Sequence, residues 1–158
     1  CLNNYYLMNF SPLDIETVFV VLSGKISAAI NRKLYRSFRK ENIDITPEQW
    51  TVLYYLWLKD EVNQQELCNA TFKDKPSMTR LIDNLEKQGL VVRSASREDR
   101  RINIITLTEK GRQLDEATQS IVTETKNAAL QGFTNEEVET AQNLLNKVFN
   151  NIKKSLDE

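Results

Sequence analysis

Apolar positions recur at steps of three and four residues near both ends of the chain, which predicts long amphipathic helices there. This spacing places side chains on one face of a helix. The first stripe follows Ser11 and Pro12, a capping residue and a first-turn proline. It is made of Ile15, Phe19, Leu22, Ile26, Ile30, Leu34 and Phe38.

Two further stripes lie toward the C-terminus. The first of these precedes Gly132, which is a candidate helix stop, and consists of Leu114, Ala117, Ile121 and Ala128. The last stripe follows a cap at Thr134 and consists of Val138, Ala141, Leu145, Val148 and Ile152. Such stripes can form a bundle with those of a second copy, and a dimer is therefore expected. A bundle within one chain is the alternative.

Shorter elements are predicted between residues 44 and 75. Thr46, Pro47 and Glu48 suit a helix start. They precede an aromatic face of Trp50, Leu53, Tyr54 and Trp57. A face of this kind is more often core than ligand pocket. Residues 63–70 predict another short helix, and residues 71–75 a turn.

The segment from Lys73 to Gly111 predicts a helix, a β-hairpin and a second helix. Pro76 suits a first turn, and the apolar face that follows is Met78, Leu81, Ile82 and Leu85. Gly89 can end the helix in the left-handed conformation. Two strands around residues 90–92 and 102–106 flank a polar loop, and Thr108 can cap the next helix. The fold class is therefore mainly α with a small β-hairpin wing, a winged helix-turn-helix joined to a helical bundle.

The charge of the chain is unevenly distributed. The 158 residues hold 21 basic and 22 acidic side chains, a net charge of −1. Residues 73–101 hold eight basic and five acidic side chains, a net of +3, so the remainder carries −4. Lysine and arginine neutralise phosphates and supply most sequence-independent affinity for DNA. The basic segment is therefore a candidate DNA-contact face.

Enzyme functions find little support in the sequence. There are no histidines, and two isolated cysteines cannot build a zinc site. The four glycines form no phosphate-binding loop, so neither a metal nor a cofactor is expected. Cys68 is expected to be a buried, reduced thiol rather than a redox sensor. The composition is typical of one soluble, cytoplasmic domain, and no apolar run is long enough to span a membrane.

Three motifs carry a family resemblance. The segment Pro76 through Gly111 contains S-x-T-R-L-I-D-x-L-E-K-x-G-L-V-x-R, then D-R-R at Asp99 to Arg101, then L-T-x-x-G at Leu107 to Gly111. In this order the motifs resemble the MarR family of bacterial transcription regulators. The predicted order of elements resembles that family over nearly the whole chain.

This resemblance implies a homodimer that binds a pseudo-palindromic operator, usually as a repressor, and that is often released by a small aromatic or other effector. Residues 11–42 would then form a dimerisation helix and residues 108–157 two more. Residues 46–107 would form the winged helix-turn-helix, with a recognition helix at about 75–88 and a wing at about 90–107. The alternative is a winged-helix adaptor that binds proteins without reading DNA.

The resemblance also assigns site residues. Met78 is excluded as a core position, and Asp99 would support the wing by pairing with Arg101. An effector pocket near the second helix would be lined by Tyr35, Trp50 and Tyr54. The expected DNA-binding residues are Lys73, Lys75, Ser77, Thr79, Arg80, Arg97, Arg100 and Arg101.

Overall fold

The computed structural model describes residues 14–96, 98–99 and 101–156, with side chains from residue 21 onward in the first helix. Ser11, Pro12 and the side chains of Ile15 and Phe19 lie outside the described part. In chain order the elements are α1 (Asp14–Lys40), α2 (Pro47–Leu58), β1 (Val62–Asn63), α3 (Gln64–Thr71), α4 (Lys75–Lys87), β2 (Val91–Ala95), β3 (Asn103–Leu107), α5 (Glu109–Ala129) and α6 (Asn135–Leu156). The predicted fold class is confirmed.

The three strands form one antiparallel sheet in the order β1-β3-β2. Strands β2 and β3 are the predicted hairpin, paired from Val91 opposite Leu107 to Ala95 opposite Asn103. Strand β1 was not predicted. It consists of two residues, Val62 and Asn63, paired with β3 at Ile105 and Ile104. Two residues are too few to show the alternation by which a strand is read from sequence.

Capping side chains explain where the short helices begin. Thr46 and Gln49 exchange hydrogen bonds across the first turn of α2. Asn63 and Glu66 do the same at α3. The nearby Lys59 ammonium, 2.6 Å from the Glu66 carboxylate, holds the pKa of Glu66 below its usual range. Each exchange satisfies amide groups that the first helical turn leaves unpaired.

The core lies where α2, α3, α4 and the sheet meet the C-terminal part of α1. Its most completely buried side chains are Phe38, Val52, Leu53, Leu56, Leu67, Met78, Ile82, Leu85, Val91 and Ile105. The aromatic face predicted for α2 is only partly core. Trp50 and Trp57 pack against the cluster, whereas Tyr54 is 41% exposed. Helix α2 buries Val52 and Leu56 instead, because it is apolar on nearly every side.

The wing is joined to α5 by a close backbone contact at Gly111. The amide of Gly111 donates to Thr108 Oγ1 at 3.0 Å, which confirms the predicted cap. The indole Nε1 of Trp57 donates to the Gly111 carbonyl at 3.0 Å. A Cβ atom at position 111 would lie 2.1 Å from the Leu90 carbonyl oxygen. Only glycine therefore fits at the end of the L-T-x-x-G motif.

The contacts divide the chain into two compact units, residues 1–122 and 123–158. Helix α6, in the second unit, leaves Leu144, Leu145, Val148 and Ile152 exposed. In the first unit, Val21, Leu22 and Ile26 of α1 are exposed as well. Among the described residues, none of the helices is both long and apolar enough to cross a membrane.

Candidate nucleic-acid interface

Helix α4 starts at a charged cap. The Asp74 carboxylate accepts from the Ser77 amide at 2.7 Å and from the Ser77 hydroxyl at 3.0 Å. These two hydrogen bonds hold the pKa of Asp74 below its usual range. A carboxylate at this end also interacts favourably with the helix dipole. The start of α4 is therefore set by Asp74 and by Pro76 in the first turn.

The two faces of α4 differ sharply. Met78, Ile82 and Leu85 are fully buried, so the prediction that Met78 belongs to the core is confirmed. Lys75 and Arg80 are exposed. Within the described residues, neither of these two cations forms an ion pair. They are therefore free to bind an anionic partner.

Three other expected contact residues of this region have internal partners. The Lys73 ammonium lies 3.1 Å from Glu48 and is 26% exposed, so it ties the turn before α4 to the start of α2. The Ser77 hydroxyl donates to the carboxylate of the capping residue Asp74. Thr79 Oγ1 donates to the Lys75 carbonyl at 2.9 Å and accepts from Gln64 Nε2 at 2.7 Å. Thr79 thereby fixes α4 against α3.

An arginine that the sequence analysis did not single out connects the wing to α4. The Arg93 guanidinium, on β2, pairs with Asp83 and with Glu86, the latter at 3.0 Å. The Arg93 amide also donates to Glu86 at 3.2 Å. Two acids followed by an arginine across the Gly89 turn are visible in the sequence. The sequence alone does not reveal that they face one another.

The far end of the wing is described only in part, because Arg97 and Arg100 lie outside the described residues. Asp99 Oδ1 accepts from the Arg101 amide at 2.9 Å and lies 4.0 Å from Arg101 Nε. Arg101 and Lys75 line the same recess of about 260 Å³, together with Asn63, Gln64, Gln65, Ile102 and Asn103. Helix α3, helix α4 and the wing thus bring two cations to one place.

Among the cavities formed by the described residues, none is lined by Tyr35 together with Trp50 or Tyr54. Tyr35 lines a cleft of about 640 Å³ between the start of α2 and α4, where Ser77 and Arg80 also lie. Trp50 and Tyr54 are not among the residues that line it. Their rings stack on each other at 5.3 Å, and Trp50 Nε1 donates to Thr118 of α5 at 3.1 Å.

Cys68 is buried, as expected. Desolvation raises the pKa of its thiol above the usual value, and the nearby Asp74 charge acts in the same direction. Thiolate is the form that reacts with oxidants, so these surroundings make Cys68 unreactive.

The order of these elements defines the class of protein. Helix α3, a turn, the half-exposed helix α4 and a two-stranded wing form a winged helix-turn-helix. Residues 43–102 match the model of the MarR family. The chain belongs to this family of transcription regulators. Membership in the family confirms the expectation that the protein is not an enzyme.

Three solved structures are similar to most of the chain. The transcriptional regulator PA3341 is 31% identical, with a TM-score of 0.73, over 86% of this chain and 98% of that one. MepR of S. aureus, in complex with DNA, is 28% identical, with a TM-score of 0.78, over 90% and 99%. Wild-type MarR of E. coli, in its apo form, is 26% identical, with a TM-score of 0.66, over 89% and 98%.

Proposed function

We propose that this protein is a cytoplasmic homodimer that binds a pseudo-palindromic operator in duplex DNA and represses transcription there. The observation that carries the proposal is the exposure of two cations of α4, Arg80 in the cleft beside α2 and Lys75 in the recess that it shares with Arg101 of the wing, both without ion-pair partners in the described part of the chain. The similar MepR structure is a DNA complex, which supports the same partner.

In this proposal α4 enters the major groove, which is wide enough to admit a helix. Arg80 reads base edges, because its planar guanidinium can donate two parallel hydrogen bonds to a guanine. Lys75 and Arg101 hold a backbone phosphate at the recess that they share. Asp99 orients Arg101, and Arg97 and Arg100 reach phosphates or the adjacent minor groove, as the family resemblance implies.

The proposed dimer has two winged helix-turn-helix units, one from each protomer, and its protomers contact each other through the exposed apolar residues of α1 and α6. Large apolar patches on a surface usually mark an interface. A two-fold axis places two recognition helices in successive major grooves, roughly 34 Å apart. Each helix then reads one half of an inverted repeat.

An effector would act at the cleft beside Tyr35. Its volume of about 640 Å³ lies in the usual range for small-molecule sites. An aromatic acid there could stack on Tyr35 and pair with Arg80. The guanidinium would then be unavailable to DNA, and the operator would be released. Titrations of operator DNA with and without benzoate-type anions test this step, and equal affinities would contradict it.

Substitution of Arg80 is the sharpest test of whether α4 binds the major groove. We expect Arg80→Ala to cost about 1–3 kcal/mol of operator binding per subunit and to weaken sequence preference, as for loss of one bidentate base contact in each half-site. Arg80→Lys should keep binding to unrelated duplexes but lose preference for the operator. Fluorescence anisotropy with the operator and a scrambled duplex measures both effects. The control is Lys126→Ala, on the exposed surface of α5. If Arg80→Ala matches the control, α4 does not read DNA in this way.

A further inference from the structure

The C-terminal two-thirds of α1 carries a second concentration of positive charge. Between residues 25 and 40 there are six basic side chains and no acidic one. Outside this segment and residues 73–101, the chain holds seven basic and 17 acidic residues, a net of −10. The basic residues of α1 are Lys25, Arg32, Lys33, Arg36, Arg39 and Lys40.

These six side chains share one face of the helix. At 3.6 residues per turn they fall within about a third of the circumference, along roughly 22 Å of helix. The opposite face carries Leu34 and Phe38, which are buried in the core. We call residues Lys25, Arg32, Lys33, Arg36, Arg39 and Lys40 the α1 basic face. Five of its side chains are exposed, and Lys33 is half-buried.

Ion pairs within the described part of the chain neutralise little of the α1 basic face. Arg39 lies 3.5 Å from Asp44, and both side chains are well exposed. Lys25, Arg32, Arg36 and Lys40 form no ion pair with any described residue. A shallow recess of about 660 Å³ runs along this face, and its lining residues are four of the cations, two alanines and Ser37.

Helix stability does not explain this pattern. Basic residues interact favourably with the dipole only in the last turn, which accounts for Arg39 and Lys40. Like charges four residues apart, as at Arg32 and Arg36, destabilise a helix slightly. An ordinary solvated helix face mixes both signs of charge. A one-sided array of cations is instead suited to a polyanion.

The position of the α1 basic face indicates which polyanion. Tyr35 lines the cleft in which Arg80 lies. Arg32 and Arg39 stand three residues before and four residues after Tyr35, so they are its neighbours on the helix surface. The basic face therefore begins at the rim of the cleft beside the recognition helix. A polyanion bound at α4 can continue onto α1.

We propose that the α1 basic face binds the sugar-phosphate backbone of the same duplex that α4 reads. This proposal rests on the proposed DNA-binding function. The lysine and arginine side chains would bind phosphates through their positive charges. Such contacts position the duplex on the protein but do not read its sequence. The contact adds affinity that depends on salt and not on the operator sequence.

The test is the combined variant Lys25→Gln, Arg32→Gln, Arg36→Gln. Its control is Lys147→Gln, Lys153→Gln, Lys154→Gln, which removes the same charge from α6. Binding to a duplex of about 30 base pairs, some three helical turns, is measured over a range of salt concentrations. One duplex carries a selected site and the other a scrambled site. Each lost phosphate contact makes the negative slope of log affinity against log salt shallower by about 0.9.

Because the proposed dimer carries three of these cations in each subunit, we expect the salt dependence of the α1 variant to be shallower than that of wild type by up to about 5, equally for both duplexes, while the control stays near the wild-type slope. The ratio of affinities for the two duplexes should not change. A slope equal to that of the control would overturn the proposal. A change in the oligomeric state of the α1 variant in the absence of DNA, measured as its molecular mass in solution, would also overturn the proposal. The α1 basic face would then be a contact between copies of the chain.

The two proposals can fail separately. If the wild-type protein binds neither duplex, the proposed DNA-binding function fails. If the wild-type protein binds and Arg80→Ala weakens its preference, but the α1 variant behaves like its control, only the α1 contact fails.

Discussion

Replacing Leu145 and Val148 by glutamate is expected to yield a monomer that has lost operator binding. The two residues are 57% and 41% exposed, so neither is part of the core of the single chain. In a dimer they would place charges in an apolar contact, which is costly. Operator affinity should fall by about 10²–10⁴-fold, the gain that linking two binding modules provides. Sedimentation equilibrium and operator titration measure the two effects.

The matched control for this variant is Asn143→Glu with Asn150→Glu. Both asparagines lie on the polar side of α6, and the change in charge is the same. The control should remain dimeric and bind the operator with wild-type affinity. A Leu145→Glu, Val148→Glu protein that is still dimeric would show that the apolar face of α6 is not the dimer contact.

Gly111→Ala is expected to be the most destabilising single substitution considered for this chain. The new Cβ would meet the Leu90 carbonyl oxygen at 2.1 Å and its carbon at 3.1 Å. Because these are backbone atoms, α5 must separate from the wing or the hairpin must move. Overpacking of a rigid site costs about 1–3 kcal/mol and sometimes more, and we expect the upper end or beyond. Urea unfolding followed by circular dichroism gives the free energy.

Gly24→Ala is the control for this substitution. Gly24 lies within α1, and nothing stands within 4 Å of a Cβ added there. Alanine in a helix interior is favoured over glycine by about 0.5–1 kcal/mol, so this variant should unfold at a slightly higher urea concentration. Both variants must be compared at one protein concentration, because dimerisation contributes to stability. Equal stability of the two variants would contradict the close contact at Gly111.

Much of the fold could be predicted because its signals are local. Thr46 and Thr108 cap helices as predicted, and Gly89 has the predicted positive φ of 70°. The buried face of α4 follows from spacing alone. Strand β1 could not be predicted, because a two-residue strand exists only through its partner β3. The requirement for glycine at position 111 likewise depends on Leu90, some 20 residues away in sequence.

The contacts within the candidate site could be predicted less well than the fold, because the charge of a side chain does not reveal its ion-pair partner. Lys73 and Arg80 look equivalent as basic residues, yet Lys73 pairs with Glu48 and Arg80 stays without such a partner among the described residues. Arg93 turned out to hold the wing to α4. The family resemblance grouped Tyr35 with Trp50 in one effector pocket, but of these two residues only Tyr35 lines the cleft beside α4.

The most direct test of the proposed function is selection of bound sequences from a random duplex pool by the wild-type protein. We predict enrichment of an inverted repeat whose half-sites are centred about 10 base pairs, one helical turn, apart or a multiple of it. The same selection with Arg80→Ala should lose preference at specific positions in both half-sites. Recovery of unenriched or asymmetric sequences by the wild-type protein would contradict a dimer that reads DNA through α4.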